Sequence, residues 1–169
     1  CNSTFLLDHE TDHGHKADEL LTLLDEWLED PAAKVVVFSQ WLGTHEVIRR
    51  RLAGRSWGHV LFHGGVPGEQ RGALVERFHN DADCRIFLST DAGGVGLNLQ
   101  HAAALVVNMD LPWNPAVLEQ RIGRVDRRMN PEVEQRLVAD HPEVASSRGK
   151  VSFWNFLPPD ELNAILTLY

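Results

Sequence analysis

Lys34-Val35-Val36-Val37-Phe38-Ser39-Gln40 places four apolar residues in succession, three of them β-branched, directly before a hydroxyl and an amide. A strand with one wetted face alternates apolar and polar residues. An unbroken apolar run of this length suits a strand covered on both faces, as in a parallel sheet. The same signature returns in His59-Val60-Leu61-Phe62, Arg85-Ile86-Phe87-Leu88, Ala104-Leu105-Val106-Val107 and Val151-Ser152-Phe153-Trp154-Asn155-Phe156. Helical patterns fill the intervals. Leu20, Leu21, Leu23, Leu24, Trp27 and Leu28 form an apolar stripe that Pro31 stops, and Val47, Ile48 and Leu52 mark a second helix. A third opens at Pro67 in its first turn and turns Leu74, Val75 and Phe78 inward. A fourth starts near Asn114-Pro115, with Asn114 as N-cap and Val117, Leu118 and Ile122 on its apolar side. Strands alternating with helices predict βαβ crossovers on a parallel sheet. Ligands of such sheets sit outside the carboxyl ends of the strands, which directs attention to Ser39-Gln40, His63-Gly64-Gly65, Ser89-Thr90-Asp91 and Asp110.

The 169 residues suit one domain, and 43% hydrophobic with 24% charged residues excludes a disordered or collagen-like chain. The longest apolar runs fall far short of the roughly 20 residues that span a bilayer, so no membrane partner is expected. The N-terminus shows no basic region followed by a long apolar stretch, and only two cysteines, Cys1 and Cys84, are present. Both features fit a reducing cytoplasm. The net charge of −8 is confined to one end: residues 1–30 hold nine acids against Lys16, and the remaining 15 acids and 15 bases balance. That end reads as an acidic lead-in helix. Met129–Lys150, polar and containing Pro131 and Pro142, reads as an excursion from the core.

Two segments carry candidate chemistry. In Glu119-Gln120-Arg121-Ile122-Gly123-Arg124-Val125-Asp126-Arg127-Arg128, a helix puts Gln120, Arg124 and Arg127 on one side and Arg121 and Arg128 on the adjoining one. Forked guanidinium groups held by one helix suit the capture of phosphate oxygens. A solvated basic helix face is the competing reading. In Ser89-Thr90-Asp91-Ala92-Gly93-Gly94-Val95-Gly96-Leu97-Asn98-Leu99, a strand runs into hydroxyls and glycines whose main-chain N–H groups could cradle phosphate. A plain tight turn is the alternative. A dinucleotide-binding fingerprint fits poorly, because the last glycine of that pattern is missing. No Gly-x-x-x-x-Gly-Lys-[Ser/Thr] occurs, so these residues alone cannot grip and cleave a nucleoside triphosphate. His9, His13 and His15 with Asp8 and Asp12 match no zinc spacing and read as a solvated tail, so no metal site is expected. Trp41 and Trp113 follow strand ends as core or rim aromatics that could also stack on a base, and Cys84 reads as a buried strand residue.

Together these segments resemble the C-terminal RecA-like lobe of superfamily-two helicases and translocases, in the Swi/Snf-type branch and its bacterial, RNA-polymerase-associated form. Lys34–Trp41 is similar to motif IV, Ser89–Leu99 to motif V and Gln120–Arg127 to motif VI, in the family's order, with Asp110-Leu111-Pro112-Trp113-Asn114-Pro115 between the last two. Asp91 and Asp126 depart from the remodeller pattern, as does Arg128-Met129-Asn130.

The resemblance implies a three-layer αβα sandwich over residues 1–169 and a role as half of a motor. It assigns Arg124 and Arg127 as arginine fingers on the γ-phosphate of ATP, and Gln120, Gly96 and Asn98 as nucleotide-facing positions. Ser39, Gln40, Ser89 and Thr90 would line a sequence-independent nucleic-acid track, with duplex DNA as the expected polymer. ATP and Mg²⁺ would be held mainly by an N-terminal RecA-like lobe of the same polypeptide, with no cofactor expected on this chain alone. The alternative is a catalytically inert nucleic-acid-binding or regulatory module of the same fold. A small cofactor-binding enzyme is a more distant third.

Overall fold

The computed structural model describes residues 14–91, 99, 103–125 and 151–157. Along the chain these form α1 (His15–Trp27), β1 (Val35–Phe38), α2 (Leu42–Leu52), β2 (Gly58–Phe62), α3 (Gly68–Asn80), β3 (Cys84–Ser89), β4 (Leu105–Asn108), α4 (Pro115–Val125) and β5 (Ser152–Asn155). The strands lie in the order β2-β3-β1-β4-β5, and every neighbouring pair is parallel. The unbroken apolar runs have the predicted cause. Every residue of β1 and β4 is buried, because side chains on successive residues enter opposite cores. Val35, Val37, Ile86, Leu88, Leu105 and Val107 meet Leu20, Leu24, Ile48 and Leu52 of α1 and α2. Val36, Phe38, Val60, Phe87 and Val106 meet Phe78 of α3 and Val125 of α4. The result is a RecA-like αβα sandwich. Cys84 is buried in β3 as expected.

Three local expectations change. Pro67 precedes α3 as its N-cap, with an extended ψ of 140°, so the helix begins at Gly68. β2 and β5 are the two outer strands of the described sheet rather than strands covered on both faces: Gly58, His59 and Leu61 of β2 are only partly buried, and Phe153 and Trp154 of β5 are exposed. On α4 the inward side carries Arg121 and Val125, while Val117, Leu118 and Ile122 are only partly buried. The charge asymmetry of the sequence is partly compensated in space: Asp18 of α1 pairs with Arg51 of α2 at 2.9 Å, and Asp25 pairs with Arg55. The polar excursion predicted for 129–150 and the first 13 residues lie outside the described residues.

At the amino edge of the sheet, two strand-flanking cations bind carbonyls at or near helix ends. Lys34 Nζ donates to the carbonyls of Phe78, in the last turn of α3, and of Asp81, just after it, and stands 5.3 Å from the centre of the Phe78 ring. Arg85 Nε donates to the Ala33 carbonyl at 2.7 Å and its Nη2 to that of Asp30 at 2.5 Å, in the turn after α1. The Phe78 carbonyl in the last turn of α3 lacks an intrahelical partner, so Lys34 satisfies both it and the helix dipole, whereas Arg85 fastens the loop carbonyls between α1 and β1. Arg85→Ala is expected to lower unfolding free energy by about 2 kcal/mol, the scale of a hydrogen bond to a charged group. Arg85→Lys should recover only part, since one ammonium cannot reproduce the fork. Urea midpoints measure both; an unchanged midpoint for the alanine variant would show the fastening idle.

Candidate functional site

The parallel register ends the strands on one line: Phe38 lies opposite Ser89 and Asn108, and Asn108 opposite Asn155. β3 and β4 flank β1, and each is followed two residues on by an aspartate, Asp91 and Asp110. Between these carboxylates lies the guanidinium of Arg121, projected from α4 and 1% exposed. Its Nε and Nη2 donate to the two oxygens of Asp91 at 2.6 and 2.7 Å. Nη2 also donates to Asp110 Oδ1 at 3.1 Å, and Nη1 to the Asp110 carbonyl at 2.8 Å and to Asn108 Oδ1 at 3.1 Å. A guanidinium has five N–H donors, and all five are used. Burial disfavours the cation, but the hydrogen bonds and charges of Asp91 and then Asp110 outweigh it and hold the Arg121 pKa above its ordinary value. This arginine is a structural cation with no donor left for an external anion.

Asp110 extends the cluster to the turn after β1. Its Oδ2 accepts the Ser39 hydroxyl at 2.5 Å, and its carboxylate accepts the Gln40 main-chain N–H at 3.2 Å. Ser39 Oγ in turn accepts the Trp41 N–H at 3.2 Å. Below this layer, His45 of α2 is fully buried, with Nε2–H shared between the carbonyls of Ser39 and Ser89 at 3.3 and 3.1 Å. Nδ1 has no hydrogen-bond partner among the described residues, which fits a neutral ring with its proton on Nε2. Burial pushes the His45 pKa down, the two carbonyls and Asp110 push back, and Arg121 adds to the fall. His59 is lowered too, by burial and then by Arg49 and Arg77.

A pH dependence follows. Above about 6.5, the value of a free histidine, folded and unfolded chains are both neutral at these rings and stability is level. Below it only the unfolded chain takes up the protons. Stability should therefore fall as the pH drops below it, by up to about 1.4 kcal/mol per unit for the buried His45 and by less for the partly solvated His59, until the lowered folded value is reached. Urea midpoints at about pH 7.5 and 5.5 test this, and a midpoint that is level or rises toward acid contradicts it.

Of the residues singled out in the sequence, Ser39, Ser89 and Thr90 are buried at this edge, and Gln40 is exposed beside Asp110. The Ser89 hydroxyl donates to the Thr90 carbonyl at 3.1 Å. Trp41 and Trp113 are both on the surface, 61% and 69% exposed. Gln120 is exposed one helical turn before Arg124. Arg124 is half-buried and makes no ion pair among the described residues. Burial lowers its pKa and the nearby charge of Asp91 partly restores it. Gly96, Asn98 and Arg127 lie outside the described residues. Sequence reasoning overlooked the Asp91–Arg121–Asp110 cluster and His45. A signal existed in the two aspartates at the same offset from the ends of two successive strand patterns, with an arginine four residues before a buried valine downstream. His45 gave none.

Residues 15–129 match the family model of the helicase conserved C-terminal domain. The "DNA repair and recombination protein RDH54" of Saccharomyces cerevisiae is 35% identical over 113 residues, 66% of this chain and 12% of that protein. An "uncharacterized ATP-dependent helicase YqhH" of Bacillus subtilis is 35% identical over 94 residues, 56% of this chain and 16% of that one. The chain thus spans a small fraction of the length of these relatives. Among solved structures, the C-terminal part of the Fun30 ATPase domain superposes with a TM-score of 0.73 at 23% identity, covering 96% of this chain and 49% of that one. The Sulfolobus solfataricus SWI2/SNF2 ATPase C-terminal domain gives 0.66 at 19%, covering 98% and 62%. With a matched span that runs from α1 through α4 and takes in well over half of its residues, the chain belongs to the helicase conserved C-terminal domain family.

Proposed function

We propose that this chain is the second RecA-like lobe of an ATP-driven DNA translocase, supplying guanidinium groups to a triphosphate held by a first lobe of the same polypeptide. The observation that carries the reading is the division of labour on α4. Arg121 has every donor committed inside the chain, whereas Arg124, one turn on, is half-desolvated and has no ion pair among the described residues. A guanidinium held in that way at the carboxyl edge fits an anion arriving from outside.

The described residue Arg124 suits the γ-phosphate end of a nucleotide. ATP would supply the phosphoryl group whose transfer to water releases the free energy for movement. Arg124 and Arg127 would stabilise the charge that develops on that group, and Gln120, Gly96 and Asn98 would face the nucleotide. In this reading Mg²⁺ falls to the first lobe, since the carboxylates described at this edge, Asp91 and Asp110, are both paired with Arg121.

DNA would run over the turns at Ser39-Gln40 and Ser89-Thr90. The Ser39 and Ser89 hydroxyls are bonded internally, so their part would be to shape main-chain N–H groups for phosphate contacts, which carry no base information. ATP hydrolysis by the full-length protein, with and without duplex DNA, tests the reading. Arg124→Ala and Arg127→Ala should each abolish turnover with DNA affinity nearly intact. Wild-type turnover in both would defeat it and favour an inert module.

A further inference from the structure

We infer that Arg121 is a positioning residue for Arg124: the buried Asp91–Arg121–Asp110 cluster fixes α4 so that the next arginine stands where a phosphate can be met. The inference rests on the finger role proposed for Arg124. Its basis is the geometry of the cluster. Three of the acceptors that fill the Arg121 fork come from beyond or at the end of β4, namely Asn108 Oδ1 and the side chain and carbonyl of Asp110. The other two are the paired oxygens of Asp91, beyond β3. Asp110 is itself tied to the turn after β1 through Ser39 and Gln40. The helix is therefore bolted to the ends of three adjacent strands by a single planar group, three residues before Arg124.

Such a bolt is not needed for burial alone. Replacing a buried ion cluster by apolar residues is often neutral for stability, so stability by itself does not account for it. What a five-bond planar fork adds is orientation, in two directions at once. Asp91 joins the two arginines. It grips one bidentately, and its charge favours the cationic form of the other. A group reacting in a transition state is sensitive to this: a displacement of about 1 Å can lower rate about 10²-fold.

The experiment uses the full-length protein and the variants Arg121→Lys, which keeps the charge but not the fork, and Asp91→Asn, which keeps the shape but not the charge. Both should lower kcat for ATP about 10- to 100-fold with KM for ATP within about twofold, and DNA affinity unchanged. Because the effect acts through Arg124, adding Arg121→Lys to Arg124→Ala should lower the residual turnover by less than about threefold. Full multiplication of the two losses would overturn the inference. So would wild-type kcat in both single variants, or losses of kcat and DNA affinity that fall together with melting temperature, the mark of a purely structural role. Wild-type turnover in Arg124→Ala would remove the finger reading itself, whereas an inactive Arg124→Ala beside fully active Arg121→Lys and Asp91→Asn removes the positioning role alone.

Discussion

Arg124→Ala in the full-length protein is expected to lower kcat for ATP hydrolysis by about 10³–10⁵, the range for loss of an arginine finger. The size follows from where the side chain stands. Burial has already stripped part of its water, so its attraction for phosphate is not screened as a surface arginine's would be. The nearby charge of Asp91 offsets part of the cost of that burial without an ion pair to it among the described residues. A solvated surface arginine, the competing reading of the same sequence, would change rate by little on removal. Arg124→Lys should recover only a small part, because an ammonium is a point charge that cannot bridge two phosphate oxygens. Steady-state turnover at saturating ATP and DNA measures this. A loss below tenfold would assign Arg124 to the solvated face.

The second large effect is on stability. Arg121→Leu should lower unfolding free energy by about 3 kcal/mol, the low end of the 3–5 kcal/mol for breaking a buried ion pair from one side. The low end applies because the carboxylates left behind are not sealed: the Asp91 and Asp110 side chains are 26% and 16% exposed and can regain water. Asn108 is the poorly placed survivor. It is fully buried and would lose one of its two side-chain partners, keeping only Asn155. In a chain of this size that loss corresponds to a melting temperature lower by about 6–12 °C. A change of under about 1 kcal/mol would mean that the cluster rearranges around the gap.

The fold was legible because burial on both faces leaves a residue-by-residue trace. Val35–Phe38 reads as a covered strand whether or not its neighbours are known, and Asn114 announces the start of α4, where its side chain accepts the Ala116 N–H at 3.0 Å. The error on α4 has the same origin. An apolar stripe through Val117, Leu118 and Ile122 points inward only if the core wants apolar residues there, and at the carboxyl edge it holds two carboxylates instead. Which arginine is structural could not be read from spacing, since Arg121 and Arg124 differ only in what faces them across 30 residues of chain. Likewise Ser39 and Ser89 look like surface hydroxyls in sequence. Parallel register places them over His45, and burial follows from that placement.

An arginine finger binds the reacting phosphoryl group more tightly than the ground state, so its most direct signature is a difference between two affinities. The measurement is the affinity of the full-length protein for ADP with aluminium fluoride, a planar mimic of the phosphoryl group in flight, relative to ADP alone. With Arg124 intact the ratio should be large. In Arg124→Ala it should collapse toward one while the affinity for ADP stays within about twofold. Equal ratios in the two proteins would contradict a finger role for this helix.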